Sequence, residues 1–504
     1  MIDRFEQNKT RPRIDFQLVS GIMGGLIFFL GVSLLLPLLI ALIYNEPSWS
    51  AFLITGLSSM IVGAFLFWAF PPRAELRMRE AFLIVTLTWF LGSLIGAFPF
   101  TLSGTLASYT DAVFETMSGF STTGATILGG TTRDGILNPA IEDLDKSLLF
   151  WRSLAHWLGG MGIIVLTLAL LPLLGIGGMQ LFQAEYSGST SDKLTPRIQE
   201  TAFLLWTVYM GMTGVQFLLL WIHPSMDWYE AINHAFSTMA TGGFSTKNAS
   251  VGAFDSVYID IIITIFMFLA AINFAMHYRL FTGNVKSFFE NREIRFYTML
   301  TALFIVGISG GLWLIDNYSP GEALRYGSFQ VLAILTTTGF GTDDYALWMP
   351  FTSFLLFLLF FTGGCAGSTG GGIKMIRLMI ITKNIKREFR QILHPQAILP
   401  IRVGKRVIDS SILKTILGFF VVYFIIFAIG AVIMSFMGYD LISAMGASIA
   451  CLGNIGPAWG DFGPTEDYAH VPYSGKWVLL ILMMIGRLEL FTVLVLFTPW
   501  FWRN

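Results

Sequence analysis

The chain has 504 residues, with 31 basic and 32 acidic side chains and a net charge of −1. With Gly counted in place of Tyr the apolar share is about 61%, against about 45–50% in soluble domains, and mean hydropathy is +0.68. This excludes an ordinary soluble enzyme, a disordered chain and a nucleic-acid binder with a basic face, and indicates a membrane protein.

Met1–Asp15 is polar, and the first apolar run, Phe16–Ile43, is too long for a cleaved signal peptide, so it reads as a retained span. About 20 apolar residues cross the hydrocarbon core as a helix. Further runs of at least about that length follow at Ala51–Phe70, Ala81–Leu102, Ser147–Leu174, Ala202–Ile222, Val257–Phe281, Tyr297–Ile315, Leu347–Ile381, Ile408–Met437 and Lys476–Trp502. Ten crossings are predicted. Basic residues cluster before the first span and after the second, fourth, sixth and eighth, for example Arg4, Arg77, Lys193, Arg279 and Lys383. That alternation places both termini in the cytoplasm.

After spans three, five, seven and nine the chain carries a short apolar stretch followed by a Gly-centred turn. The stretches are Tyr109–Phe120, Trp228–Met239, Gly327–Leu335 and Leu441–Leu452. They are too short to span and suit re-entrant helices. The turns read Thr122-Thr123-Gly124, Ala240-Thr241-Gly242, Thr337-Thr338-Gly339 and Asn454-Ile455-Gly456. The chain therefore divides into a two-helix region (1–70) and four repeats (71–180, 181–290, 291–400, 401–504). All four repeats share one orientation and can surround an axis along the membrane normal.

Non-helical backbone at membrane depth is tolerated only inside protein or along a water-filled cavity. Rings of backbone carbonyls replace the hydration shell of a monovalent cation, and Gly reaches the backbone angles that aim consecutive carbonyls inward. The C-termini of four short helices add partial negative charge. A cation filter is the expected use. The alternative for any one turn is an ordinary loop.

The run Gly363-Gly364-Cys365-Ala366-Gly367-Ser368-Thr369-Gly370-Gly371-Gly372 interrupts span eight. Six Gly at about 1 kcal/mol each relative to Ala do not make a stable helix. It is not a phosphate loop, because Ile373-Lys374 follows where Lys-Ser/Thr is needed. It reads as a flexible break or as a kink relieved by its neighbours. Arg487 lies inside the last span, where charge is costly unless it faces protein or water; a structural ion pair with nearby Glu489 or another acid is one reading of it. Lys374 either acts beside the Gly run or snorkels to the interface. Glu115 either concentrates cations or bonds to backbone. Asp461, Glu466 and Asp467 form an acidic outer cluster. Cys365 and Cys451 make no metal or disulfide pattern, and there is no HExxH or nucleophile–base set.

These features together resemble the Trk/Ktr/HKT superfamily of potassium transporters, bacterial TrkH type. The resemblance rests on the four turns, the Gly-rich run with Lys374, Met484-Ile485-Gly486-Arg487 and the two extra leading spans. It implies an all-α integral membrane fold of four M1–pore loop–M2 repeats around a pseudo-fourfold pore, usually as a homodimer. It maps the filter glycines to Gly124, Gly242, Gly339 and Gly456. Gly124 fits potassium preference, and the fourth turn departs from the Thr-Thr-Gly pattern. It makes the loop of Gly363, Gly364, Gly367, Gly370, Gly371 and Gly372 a gate, with Lys374 beside it and Arg487 as a barrier beneath the filter. It implies K⁺ as the transported ion with no organic cofactor, a bacterial cytoplasmic (inner) membrane location, and a soluble nucleotide-binding TrkA-like regulatory partner. The expected function is potassium uptake by a non-enzyme. A proton- or sodium-coupled secondary transporter is the alternative; inverted repeats, common in that class, are not seen here.

Overall fold

A computed structural model of the chain describes residues 14–72, 76–162, 198–397, 399–404, 406–408 and 410–503. Among the described residues the architecture is helical, apart from one antiparallel ribbon pairing Arg402–Val403 with Arg406–Val407. The leading region is one long apolar run, Phe16–Tyr44, followed by Trp49–Ala69. Asp15 opens it by accepting bonds from Gln17 N and Leu18 N. The two helices touch through glycines seven residues apart. A Cβ on Gly24 would sit 2.8 Å from Gly63 O, and one on Gly31 would sit 2.7 Å from Gly56 O. Small residues give membrane helices this close backbone approach.

Four units follow, each a long helix, a short helix, a turn and a second long helix. The first long helices are Met78–Leu102, Ile198–Trp221, Arg292–Leu314 and Ser410–Phe436. The short helices are Tyr109–Phe120, Trp228–Met239, Pro320–Leu335 and Leu441–Gly453. Each short helix starts on a side-chain cap, from Ser108, Asp227, Ser319 and Asp440 in turn. The third is longer than the stretch read from sequence, because Ser319-Pro320 begins it seven residues earlier than Gly327.

Two of the second long helices, in the second and fourth units, bend where uninterrupted spans were expected, and that of the third is broken where the sequence indicated. That of the first unit is Lys146–Met161, and the part of the predicted span beyond residue 162 lies outside the described residues. In the second unit, Val257–Ala270 and Phe274–Phe281 meet at 102°. Asn273 starts the new direction by accepting from Ala275 N at 2.8 Å. In the fourth, Tyr473–Arg487 turns by 113°, through Glu489 and Leu490 at φ 56° and 59°. In the third, Pro350–Leu359 and Met375–Leu393 are separated by residues 360–374, where the Gly-rich run was read as a break.

Large apolar side chains face outward, among them Ile61, Trp68, Val306 and Phe436, while Thr, Ser, Asn and His side chains of the short helices are buried. This inversion of the soluble pattern is that of a lipid-facing exterior around a polar interior.

Candidate ion pathway

Each short helix ends the same way. A residue at the helix end takes a left-handed conformation, the one after the cap in the first three helices and the cap itself in the fourth: Thr122 (φ 52°), Thr241 (54°), Thr337 (61°) and Asn454 (56°). Its N–H bonds three residues back, to Gly119 O, Thr238 O, Ile334 O and Cys451 O. The next N–H bonds five back, to Ser118 O, Ser237 O, Ala333 O and Ala450 O, at 2.8–2.9 Å. This is the Schellman helix end in one register, four times. A β-branched residue at positive φ is a backbone outlier, and three equivalent Thr adopt it. Such outliers concentrate at functional sites.

The shared register then places a second left-handed residue two positions on: Gly124 (φ 79°), Gly243 (83°), Gly339 (75°) and Gly456 (97°). Aligning the second turn on its Thr-Gly pair, as the sequence invited, sets Gly242 opposite Gly124. The backbone instead sets Gly243 there, Gly242 opposite Thr123, and Ala240 opposite Ser121. The aligned triplets are Thr122–Gly124, Thr241–Gly243, Thr337–Gly339 and Asn454–Gly456.

The four turns close on one another. A Cβ on Gly124 would lie 2.2 Å from Gly242 O. The corresponding distances are 2.1 Å from Gly243 to Thr338 O, 1.8 Å from Gly339 to Ile455 O, and 2.5 Å from Gly456 to Thr123 O. Each glycine thus backs onto a carbonyl of the next turn, and the fourth returns to the first. Asn454 Nδ2 also donates to Thr123 Oγ1 at 3.0 Å across the closing junction. A cavity of about 210 Å³ lies beyond the glycines, lined in part by Gly124, Gly243, Gly339, Pro457, Glu466 and Asp467.

The ring is braced from outside. Glu115 accepts from Arg152 Nε (2.7 Å), Thr126 Oγ1 (2.9 Å) and Ile127 N (3.0 Å). Arg152 in turn donates to Ser245 O and covers the Phe244 ring at 4.0 Å. A buried ion pair therefore ties the chain after the first turn to the chain after the second. Of the two readings of Glu115, the structure displays backbone bonding. Tyr468 Oη donates to Gly456 O at 2.7 Å behind the fourth turn.

The Gly-rich segment lies against the helix ends on the other side. Gly371 N donates to Thr337 Oγ1 at 2.7 Å, and Thr369 Oγ1 donates to Met239 O at 3.0 Å. A Cβ on Gly371 would lie 2.5 Å from Gly453 O, and one on Gly370 3.0 Å from Thr336 O. The segment thus touches three of the four units. Gly363 and Gly372 approach each other at the neck of the loop, where Gly363 N donates to Ile373 O at 3.0 Å. Gly364 packs on Ala271 O, and Gly367 O accepts from Phe274 N at the bend of the second unit.

Arg487 donates to Thr369 O at 2.6 Å, to Gly160 O at 2.9 Å and to Gly159 O. It pins this segment to the second long helix of the first unit. Glu489 pairs with Arg377. Lys374 is buried and donates to Gly370 O, so its ammonium turns inward rather than reaching for the interface. Sequence reasoning missed Glu293, which accepts from Ala366 N at 2.7 Å and Ile376 N at 3.0 Å, fastening two points of the loop region. Its position at the start of an apolar helix was the available signal.

Comparison with known proteins gives a consistent result. The sequence profile of the TrkH family, described as cation transport protein, matches residues 48–503. The chain is 39% identical over 495 residues to the Trk system potassium uptake protein TrkH of Halomonas elongata, covering 97% of this chain and 100% of that protein. It is 40% identical to the TrkH of Escherichia coli (strain K12), with the same coverage. The crystal structure of the potassium transporter TrkH from Vibrio parahaemolyticus superposes with a TM-score of 0.86 at 37% identity, over 97% of this chain and 100% of that one. The chain belongs to the TrkH family of cation transport proteins.

Proposed function

We propose that this chain takes up potassium across the bacterial cytoplasmic membrane, with both termini inside, and that the ring of turns is its selectivity filter. The observation that carries the reading is the closure of four equivalent turns, each glycine against the next turn's carbonyl. The revised filter set is Thr122–Gly124, Thr241–Gly243, Thr337–Gly339 and Asn454–Gly456. A dehydrated K⁺ needs several oxygen ligands at once, and a neutral ring of carbonyls at four helix C-termini favours a cation. The gate is assigned to the Gly-rich loop, with Gly363, Gly364, Gly367, Gly370, Gly371, Gly372, Lys374 and Arg487. Its contacts with three helix ends and the cation of Arg487 support that role. The chain works as a homodimer, with residues 1–70 and the four repeats as its parts. A nucleotide-binding TrkA-like ring docks on the cytoplasmic face, where the helix Met375–Leu393 exposes Lys386 and Arg390.

Expression in a bacterial strain stripped of its own potassium uptake systems tests the reading. Growth at low K⁺ should be restored by the wild type and lost with Gly243→Ser. Failure of the wild type to restore growth, with protein present in the membrane, would contradict it.

A further inference from the structure

The four turns share one backbone but are not held by the same side chains. In the first, Ser121 Oγ and Thr123 Oγ1 bond at 2.7 Å, and in the third Thr336 Oγ1 and Thr338 Oγ1 bond at 2.7 Å. These hydroxyl braces occupy diagonally opposite quadrants. The fourth turn has Gly453 and Ile455 at those positions, and a Cβ on Gly453 would meet Ile455 Cδ1 at 3.1 Å, so the isoleucine folds over its own turn. The second turn has Ala240 and Gly242 there; Thr241 Oγ1 donates to Ala240 O at 2.6 Å, but the hydroxyl pair of turns one and three is missing, and so is a large apolar side chain to fold over.

The missing volume is supplied from another repeat. His156, on the helix Lys146–Met161, is fully buried. A Cβ on Gly242 would lie 2.3, 2.5 and 2.6 Å from three atoms of its imidazole. The ring is not free to swing aside. It stacks on Phe244, the residue after Gly243, with centroids 4.1 Å apart and planes 16° apart. Its Nδ1 also lies 3.4 Å from Ser237 Oγ of the second short helix.

We infer that His156 is a positioning residue for the second filter turn, an in-trans replacement for the side chain that Gly242 lacks, and that it sets ion preference through that turn. This rests on the filter reading above. A glycine at 242 and a histidine at 156 are a coupled pair: each is required because the other is there. Gly242→Thr alone collides with the ring. His156→Ala alone leaves a void behind a turn that lacks the hydroxyl pair of turns one and three, so its carbonyls are less firmly held. His156→Ala with Gly242→Thr and Ala240→Ser rebuilds the hydroxyl brace of turns one and three.

The test is K⁺ and Na⁺ flux in vesicles reconstituted with full-length purified protein, with size-exclusion elution as the check of folding. Neighbouring pairs in one packed network couple by about tenfold, so the K⁺/Na⁺ ratio should fall about tenfold in His156→Ala and recover in the triple variant. If Gly242→Thr alone does not fold, the triple variant should fold and conduct. An unchanged ratio in His156→Ala, or equal damage by Gly242→Thr with and without His156→Ala, would overturn the inference. Gly124→Ser, measured in parallel, separates the two levels. A shift there without one at His156 removes only this inference, whereas no shift in either removes the filter reading itself.

Discussion

Gly339→Ala probes the ring where it is tightest. The substitution meets two costs. At φ 75° a side chain costs about 1–2 kcal/mol. The new methyl would also stand 1.8 Å from Ile455 O, and real Cβ atoms stay beyond 3.0 Å, so the fourth turn's carbonyl must retreat by about 1.2 Å. On the proposed filter reading, a carbonyl displaced that far no longer serves as an ion ligand. Polar contacts to a charged group are worth about 1.5–3 kcal/mol each, which converts to a K⁺ half-saturation weaker by about 10- to 150-fold. The assay is K⁺-dependent flux in vesicles. Gly310→Ala in the same repeat is the control, since a Cβ there meets nothing within 4 Å. A Gly339→Ala protein that elutes normally and saturates within about twofold of wild type would refute the reasoning.

Three further perturbations separate the parts of the account. Arg487→Gln removes charge-assisted bonds to Thr369 O, Gly159 O and Gly160 O; resting K⁺ flux should rise by about tenfold or more, and unchanged flux would contradict the gate assignment. Glu293→Ala should free the loop ends at Ala366 and Ile376 and raise resting flux, with Glu293→Gln intermediate because its oxygen still accepts; identical flux in all three proteins would remove the clasp. Gly63→Leu should cost about 1–3 kcal/mol of stability by overpacking against Gly24 and Phe28, read as a lower melting temperature with K⁺/Na⁺ preference unchanged; a changed preference would tie the leading helices to the filter.

Much of the architecture was legible because the membrane simplifies the code. Long apolar runs, the re-entrant stretches and the Gly-rich break in span eight stand out in composition alone. The register of the second turn did not. Thr241-Gly242-Gly243 offers two glycines, and matching the Thr-Gly pair chooses the wrong one. The deciding signal is the distance from the end of the short helix, which fixes Thr241 as the left-handed residue and so Gly243 as the glycine backing onto the next turn. The bends at residues 271–273 and 488–490 were hidden because both spans are apolar on either side and contain no Pro at the break. Asn273, a capping residue inside such a run, was the available hint. The partners of the buried charges were out of reach for another reason: Arg152 meets Glu115, Arg377 meets Glu489, and Arg487 reaches the carbonyls of Gly159, Gly160 and Thr369. Those pairings depend on how the repeats pack, not on local spacing.

The central claim, one potassium-selective ring built from four turns in a common register, is tested most directly by ion flux through the purified protein in vesicles. K⁺ and Na⁺ are compared with and without a proton gradient for the wild type and for Ser at 124, 243, 339 and 456 in turn. The account predicts K⁺ preference in the wild type and its erosion by each of the four substitutions, Gly243→Ser included. A wild type without K⁺ preference, or four serine variants that retain it, would contradict the account.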